Sequence, residues 1–410
     1  MTELSKAQAW RILFATMLIS LLGTAGIAMP YPVLAPYFLD TPANSLNSFM
    51  GVNPKLLLGF ALALYPLGIL VGSSFIGALS DIYGRRLVLL VTLIGTVLSY
   101  LLTAYAVVIE HYPLFMLARL ITGICEGNIS IARALAVDLH PVIDRSRALS
   151  LVYATVYGGW LLGPLAGGYL MGYGTDTVFM IAAIATLTTI PIVMLSLGKQ
   201  RLRTDYEQNF WRAMSNENSY RLLRYKEIRP IFIFYFIYTL GNNAFYEFYP
   251  VWLVERHGFN SEQIGWITVL MTSIMILSSV LLAAPIVKRL GQMRALITSA
   301  TLMGLTLMIM PHLTIMINYA LFMLMGFLIA LNNTVTPTYM SEKFAHHGQG
   351  KIMGLQTSVF CLSNVLIAPI GSLLAVYSVT LTMMMSGVLI LMALIWFIRA
   401  RHLIEQEVVD

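Results

Sequence analysis

Apolar runs of about 20 residues recur along the whole chain, each closed by charged or turn-forming residues. A helix needs about 20 such residues to cross a bilayer. Twelve segments meet that description: about 11–38, 55–79, 87–109, 113–137, 147–171 and 176–197, then 229–254, 263–287, 294–311, 315–339, 350–376 and 379–399. Composition agrees, since 58% of residues are hydrophobic and 11% charged, against roughly 25% charged in soluble domains. Soluble enzymes, nucleic-acid binders and disordered chains are thereby excluded. The spacing predicts an all-α membrane protein of two six-helix bundles around a central cavity. Their bounds are 1–197 and 229–410, joined by a polar linker at 198–228.

The net charge of +6 does not mark a nucleic-acid partner, because the basic residues flank apolar runs and form no patch. With the N-terminus in the cytoplasm, Lys6, Arg11, Arg85, Arg86, Arg145, Arg147, Lys288, Arg289, Arg294, Lys343, Lys351, Arg399, Arg401 and the linker cluster all lie inside. Only Lys55 and Arg256 remain outside. The positive-inside bias therefore places both termini and the linker in the cytoplasm. The first apolar run is too long for a cleaved signal, so it reads as a retained helix. Cys125 and Cys361 sit inside apolar runs without metal-ligand spacing.

Gly77-Ala-Leu-Ser-Asp81-Ile-Tyr-Gly84-Arg85-Arg86 follows the second span. Its glycines allow a tight turn, and its acid and arginines can make charge-assisted hydrogen bonds. In the fifth span, Gly159, Gly163 and Gly167 share one face that admits a second backbone. Pro164 bends that helix, and Gly168 completes the element. These two motifs, with Arg119-Leu-Ile-Thr122-Gly123 in the fourth span, resemble the major facilitator superfamily, drug/proton antiporter branch, and its tetracycline/proton antiporter-like group. Lys288-Arg-Leu-Gly291-Gln-Met-Arg294 reads as a decayed second copy of the first turn. The resemblance implies secondary transport by rocking alternating access, powered by a proton gradient with no cofactor, metal or enzymatic step. It also makes Gly77, Asp81, Gly84, Arg85, Arg86 and the fifth-span Gly-Pro element a conformational switch. One departure stands out: the tetracycline exporters' first-helix acid has no counterpart in Leu22-Gly23-Thr24-Ala25-Gly26.

Charges at membrane depth cost about 2.5–3.5 kcal/mol each on insertion scales, which makes them functional candidates. No histidine lies within a predicted span, and among carboxylates only Glu126 is near the middle of one. Asp138 and Glu247 stand toward span ends. Arg119, Glu126 and Arg133 are seven apart, about 700° of helix rotation and ~10.5 Å of rise per step, so a continuous helix would align them in one stripe. Desolvation favours the neutral acid and a nearby arginine the carboxylate. That competition suits a proton carrier, with Glu126 as the carrier, Arg119 tuning it, and Asp138 and Glu247 as the alternative acids of the proton-coupling set. A static salt bridge between helices is the competing role. Glu247 suits either an outer gate or substrate-cation contact, or the membrane interface.

In the seventh span Tyr235, Tyr238, Asn242, Tyr246 and Tyr249 form one polar-aromatic face, suited to an amphipathic ligand. Tyr238, Asn242 and Tyr246 of that face, with Tyr31, Thr122, Arg133, Tyr157, Asn332, Asn333 and Gln356, make up the candidate substrate-binding set, while an interfacial belt explains Tyr249. Pro30, Pro32 and Pro36 predict a broken first span. No phosphate loop or hydrolase motif occurs, which argues against ATP drive. The expected function is proton-coupled export of small amphipathic or drug-like compounds by a monomer in a bacterial-type inner membrane. The alternative is a dedicated carrier, exporting or importing one metabolite such as a siderophore, amino acid or organic anion.

Overall fold

The computed structural model describes residues 5–139, 141–197, 219–344 and 349–405. Most of the linker, 198–218, lies outside the described residues. Fifteen helices cover the rest: α1 (Lys6–Ala28), α2 (Tyr31–Leu39), α3 (Pro54–Tyr83), α4 (Arg85–Val108), α5 (Tyr112–Glu126), α6 (Ile129–Asp138), α7 (Arg145–Leu170) and α8 (Thr175–Ser196) in the first half. The second half has α9 (Arg229–His257), α10 (Ser261–Leu281), α11 (Ala283–Leu290), α12 (Gln292–Ile309), α13 (Ile315–Lys343), α14 (Gln349–Tyr377) and α15 (Val379–Glu405). Paired as α1–α2, α5–α6 and α10–α11, they are the twelve expected spans of an all-helical membrane fold.

Nine of the spans are long and apolar enough to cross a membrane among the described residues. The others are α5 with α6, α7 and α9. These are the three in which the sequence concentrates its charges, its Gly-Pro element and its tyrosine face.

Helix ends follow local chemistry. Ser5 and Gln8 close a reciprocal capping box on α1, which satisfies two otherwise orphaned amides. The Asp144 carboxylate caps α7 by accepting from the Arg147 amide. Gly258 ends α9 in the left-handed region, with its amide and that of Phe259 returning to Val254 and Leu253. The first span breaks at Met29–Pro30, as the prolines predict.

The chain divides into two compact units. One comprises Met1–Val52, Leu64–Asn216 and Ser261–Trp266; the other comprises Asn53–Ala63, Glu217–Asn260 and Ile267–Asp410. The division follows the halves of the sequence except at the first turns of α3 and α10. In the first unit, Ile19, Ile76, Val88, Leu89, Leu93, Ile131, Leu135 and Val193 form an apolar cluster between α1, α3, α4, α6 and α8. In the second, α9 packs along α15 and α14, so closely that a Cβ on Gly241 would stand 2.6 Å from the Ser386 carbonyl.

Candidate functional site

Two backbone clasps assemble the site in the first unit. Gly68 and Gly72 of α3 lie against Gly123 and Gly127. A Cβ on Gly68 would stand 2.8 Å from the Cα of Gly123, and one on Gly72 would stand 2.1 Å from the Ile124 carbonyl oxygen. Small residues spaced by four on both partners permit this approach. The second clasp is the one the fifth-span glycines predict, and its partner is α1. Built Cβ atoms on Gly159, Gly163 and Gly167 would meet the carbonyls of Leu21, Ala25 and Met29 at 2.8, 2.6 and 2.1 Å. Pro164 lies inside α7 as expected, and Gly168 approaches the Ser261 carbonyl.

Glu126 sits where these helices meet. It is the last residue of α5, and the span then breaks at Gly127–Asn128 before α6 begins. The Gly127 amide turns back to the carbonyls of Gly123 and Ile124, while Asn128 donates to the Thr92 hydroxyl at 3.1 Å. Arg119 and Glu126 stand on the unbroken α5, whereas Arg133 belongs to α6, beyond the break. Seven residues across a break no longer equal two helical turns, and the side chain of Arg133 lies outside the described residues.

The partners of Glu126 are tyrosines from two other helices. Tyr65 of α3 donates its hydroxyl to Oε2, and Tyr100 of α4 donates to Oε1 at 2.8 Å. Glu126 is buried, as are Tyr65, Tyr100 and Arg119. Arg119 makes no ion pair with Glu126 and stands over the Tyr65 ring, 4.6 Å from its centroid, a cation–π arrangement. Its Nε and Nη1 atoms are buried without a hydrogen-bond partner. Thus Tyr65 serves both charges, one through its hydroxyl and the other through its ring.

Other predicted residues are placed elsewhere. Asp138 does not approach Glu126: it ends α6 and pairs with Arg85 Nε at 2.7 Å, joining the turn between α3 and α4. Gly84 takes φ +89° at that turn, and Arg86 donates to the Met194 carbonyl at 3.1 Å. The side chain of Asp81 lies outside the described residues. The second copy repeats the arrangement. Gly291 takes φ +78°, and Gln292 donates to Glu342, near the end of α13, at 2.8 Å.

Thr122 spends its hydroxyl on the Ala118 carbonyl of its own helix. Tyr31 stacks edge-on to Trp160, and Tyr157 is half-buried. In the second unit the tyrosine face is largely internal. Tyr238 stacks on Phe234 and reaches Met303, and Tyr246 reaches Met275. Tyr249 bonds to Thr268. Tyr238 and Tyr249 therefore serve packing, because α12 and α10 cover the side of α9 that carries them. Asn242 is buried with an unpartnered Oδ1. Glu247 is only 4% exposed, with Oε2 unpartnered, so it is not an interface residue. Asn332 is buried and Asn333 exposed, on different sides of α13. Gln356 approaches Met340 of that helix.

The sequence reading missed Tyr65, Tyr100, Asn128 and Thr24. A signal existed for the first of them: Gly68–Gly72 and Gly123–Gly127 are matching four-residue spacings, and Tyr65 precedes the former by one turn. Tyr100 carries no comparable mark.

Residues 12–229 and 231–407 match the profile of the Major Facilitator Superfamily. Multidrug resistance protein 2 of Bacillus subtilis (strain 168) is 25% identical over 330 residues, covering 77% of this chain and 79% of that protein. Tetracycline resistance protein, class H, of Pasteurella multocida is 24% identical over 391 residues, covering 92% and 94%. A crystal structure of a D-xylose-proton symporter superposes with TM-score 0.77 at 16% identity, over 95% of this chain and 97% of that one, a likeness of fold. Members of this family are transporters that need no cofactor and catalyse no covalent reaction. A twelve-span helical membrane fold, a glycine-framed fifth span and a family profile spanning both halves identify the chain as a member of the Major Facilitator Superfamily, a multi-pass membrane transporter of small molecules.

Proposed function

We propose that the protein exports small amphipathic or drug-like compounds in exchange for protons, with Glu126 carrying the proton. The observation that carries this reading is Glu126 itself: a buried acid, held by two tyrosine hydroxyls and set beside an arginine that it does not neutralise. A structural salt bridge would join Glu126 to Arg119 directly, whereas here Tyr65 stands between them, its hydroxyl on one and its ring under the other. Protonation of Glu126 changes what Tyr65 and Tyr100 can donate to, so charge is linked to the packing of α3 and α4 on α5. The relatives named for multidrug and tetracycline resistance favour export. The monomer would lie in a bacterial-type inner membrane with both termini cytoplasmic. The turns at Gly84 and Gly291 would govern switching, while Tyr246, Asn242, Asn332 and Glu247 would contact substrate.

A second reading has its own support. The unpartnered nitrogens of Arg119 favour an anionic substrate, and with it a dedicated carrier of one organic anion. One experiment separates these. Proteoliposomes under an imposed pH gradient are challenged with amphipathic cations and organic anions, with wild type compared with Glu126→Gln. Proton release driven by several cations in the wild type alone supports antiport through Glu126. Movement of a single anion supports the carrier. Coupling that survives in Glu126→Gln removes Glu126 from the mechanism.

A further inference from the structure

Two small cavities in the first unit adjoin Glu126. One, of about 30 Å³, is lined by Ser20, Gly23, Thr24 and Ile27 of α1 with Glu126, Asn128 and Ala132. The other, of about 20 Å³, is lined by Gly23, Glu126 and Asn128 with Thr96, Thr186 and Thr189. Both share Ile19, Gly23, Glu126 and Asn128, so they flank one point. A single water needs about 10–15 Å³ of such space. Both cavities are of water size and too small for a substrate.

Their lining is mainly apolar, with polar atoms at a few points, among them Glu126, Asn128 and Thr24. Thr24 is 3% exposed, and its hydroxyl has no partner although it lines the larger cavity. An orphaned buried hydroxyl is rare and calls for an unseen partner. The space itself exists because position 23 lacks a side chain. A Cβ on Gly23 would meet nothing within 4 Å, whereas one on nearby Gly26 would strike the Tyr100 hydroxyl at 2.9 Å. Leu93 of α4 and Ile19 belong to the apolar cluster that bounds the cavities on one side.

We infer that these cavities hold a short chain of ordered waters that delivers the proton to Glu126 from within the first unit, on a side of the carboxyl separate from its tyrosines. This rests on the reading of Glu126 as the proton carrier. Both carboxylate oxygens accept from buried phenols, so neither tyrosine offers Glu126 an exchangeable path to solvent. A hydrated proton reaching the chain passes one proton to the Glu126 carboxylate and leaves neutral water behind. No other reactant is consumed. The titratable groups facing Glu126 are Tyr65 of α3, Tyr100 of α4, and Arg119 and Cys125 of α5. Helices α1 and α8 contribute hydroxyls only, at Ser20, Thr24, Thr186 and Thr189.

The test follows protonation itself, without a substrate. A pH jump on purified protein is monitored by time-resolved infrared spectroscopy of the carboxyl band, and Glu126→Gln identifies the Glu126 component. Gly23→Val fills the shared space with methyl groups, Gly23→Ser replaces a water with a hydroxyl, and Thr24→Val removes the orphaned hydroxyl at constant shape. Gly23→Val and Thr24→Val are expected to slow protonation about tenfold or more, with Gly23→Ser close to wild type. A Glu126 band that responds as fast in Gly23→Val as in wild type overturns the water chain while leaving Glu126 as carrier. No band lost in Glu126→Gln overturns the reading of Glu126 and the chain with it. A high-resolution structure with both cavities dry overturns the chain alone.

Discussion

Alanine at Gly72 and alanine at Gly23 are the same chemical change on two buried helices, yet they should have opposite effects. At Gly72 the new methyl carbon would lie 2.1 Å from the Ile124 carbonyl oxygen and 2.9 Å from the Ile124 Cα. A comfortable separation is about 3.5 Å, so α3 and α5 must part by about 1.4 Å at this crossing. Overpacking of this kind costs about 1–3 kcal/mol, with backbone contacts that cannot rotate away toward the upper end. Alanine regains about 0.5–1 kcal/mol of helix preference, leaving Gly72→Ala about 2 kcal/mol less stable. At Gly23 the methyl meets nothing within 4 Å, and only the helix preference remains, a gain of up to about 1 kcal/mol. Equilibrium unfolding in mixed micelles, read from the six tryptophans, should separate the two variants by about 2–3 kcal/mol, with wild type between them. If Gly72→Ala unfolds with Gly23→Ala, the close approach of α3 and α5 is wrong, and the placement of Tyr65 against Glu126 falls with it.

Tyr100→Phe should cost about 1.5–3 kcal/mol, the range for a hydrogen bond to a charged group, and should lower proton-coupled transport while the fold is retained by circular dichroism. Arg85→Ala removes a half-exposed ion pair with Asp138, so its stability loss should stay within about 1 kcal/mol. Its transport rate should fall further than that, as measured by initial uptake into vesicles; an unchanged rate would strip the turn of a switching role. Lys55 pairs with Glu255 at 2.7 Å and also donates to the Ala375 carbonyl at 2.7 Å. Lys55→Met should therefore shift transport kinetics more than Lys55→Arg does, and equal effects would argue against that shared contact. Gly291→Ala places a side chain at φ +78° and ψ 154°, a region costing about 1–3 kcal/mol for residues with a side chain, and a thermal melt indistinguishable from wild type would refute that strain.

The spans were legible in the sequence because hydrocarbon thickness sets helix length, and charged residues and turn formers set the ends. The clasp of Gly159, Gly163 and Gly167 was legible as a surface that invites a backbone, although the sequence did not say that α1 would fill it. Periodicity does not register the break between Glu126 and Arg133: Gly127 is pressed against Gly72 and Ser73, where a built Cβ would stand 2.6 Å from backbone atoms. The tyrosine face of α9 was legible in part. Its spacing shows that Tyr238, Tyr246 and Tyr249 lie together, but only the packing of α10 and α12 decides that Tyr238 and Tyr249 face protein. Tyr65 and Tyr100 were invisible because their importance comes from a contact across helices 61 and 26 residues from Glu126.

Tyr65 carries the hydroxyl that meets Glu126 and the ring that supports Arg119, and Pro66 follows it inside α3. A proline there removes the amide that would bond to Leu62. The helix also passes from one compact unit to the other between Ala63 and Leu64, a turn away. A single phenol gangs two charges on one shaft. Arg119 and Glu126 then cannot be reset independently. Substitutions at 119 and 126 should be non-additive in a double-mutant cycle although the two side chains form no bond, and that coupling should vanish when the ring at position 65 is removed.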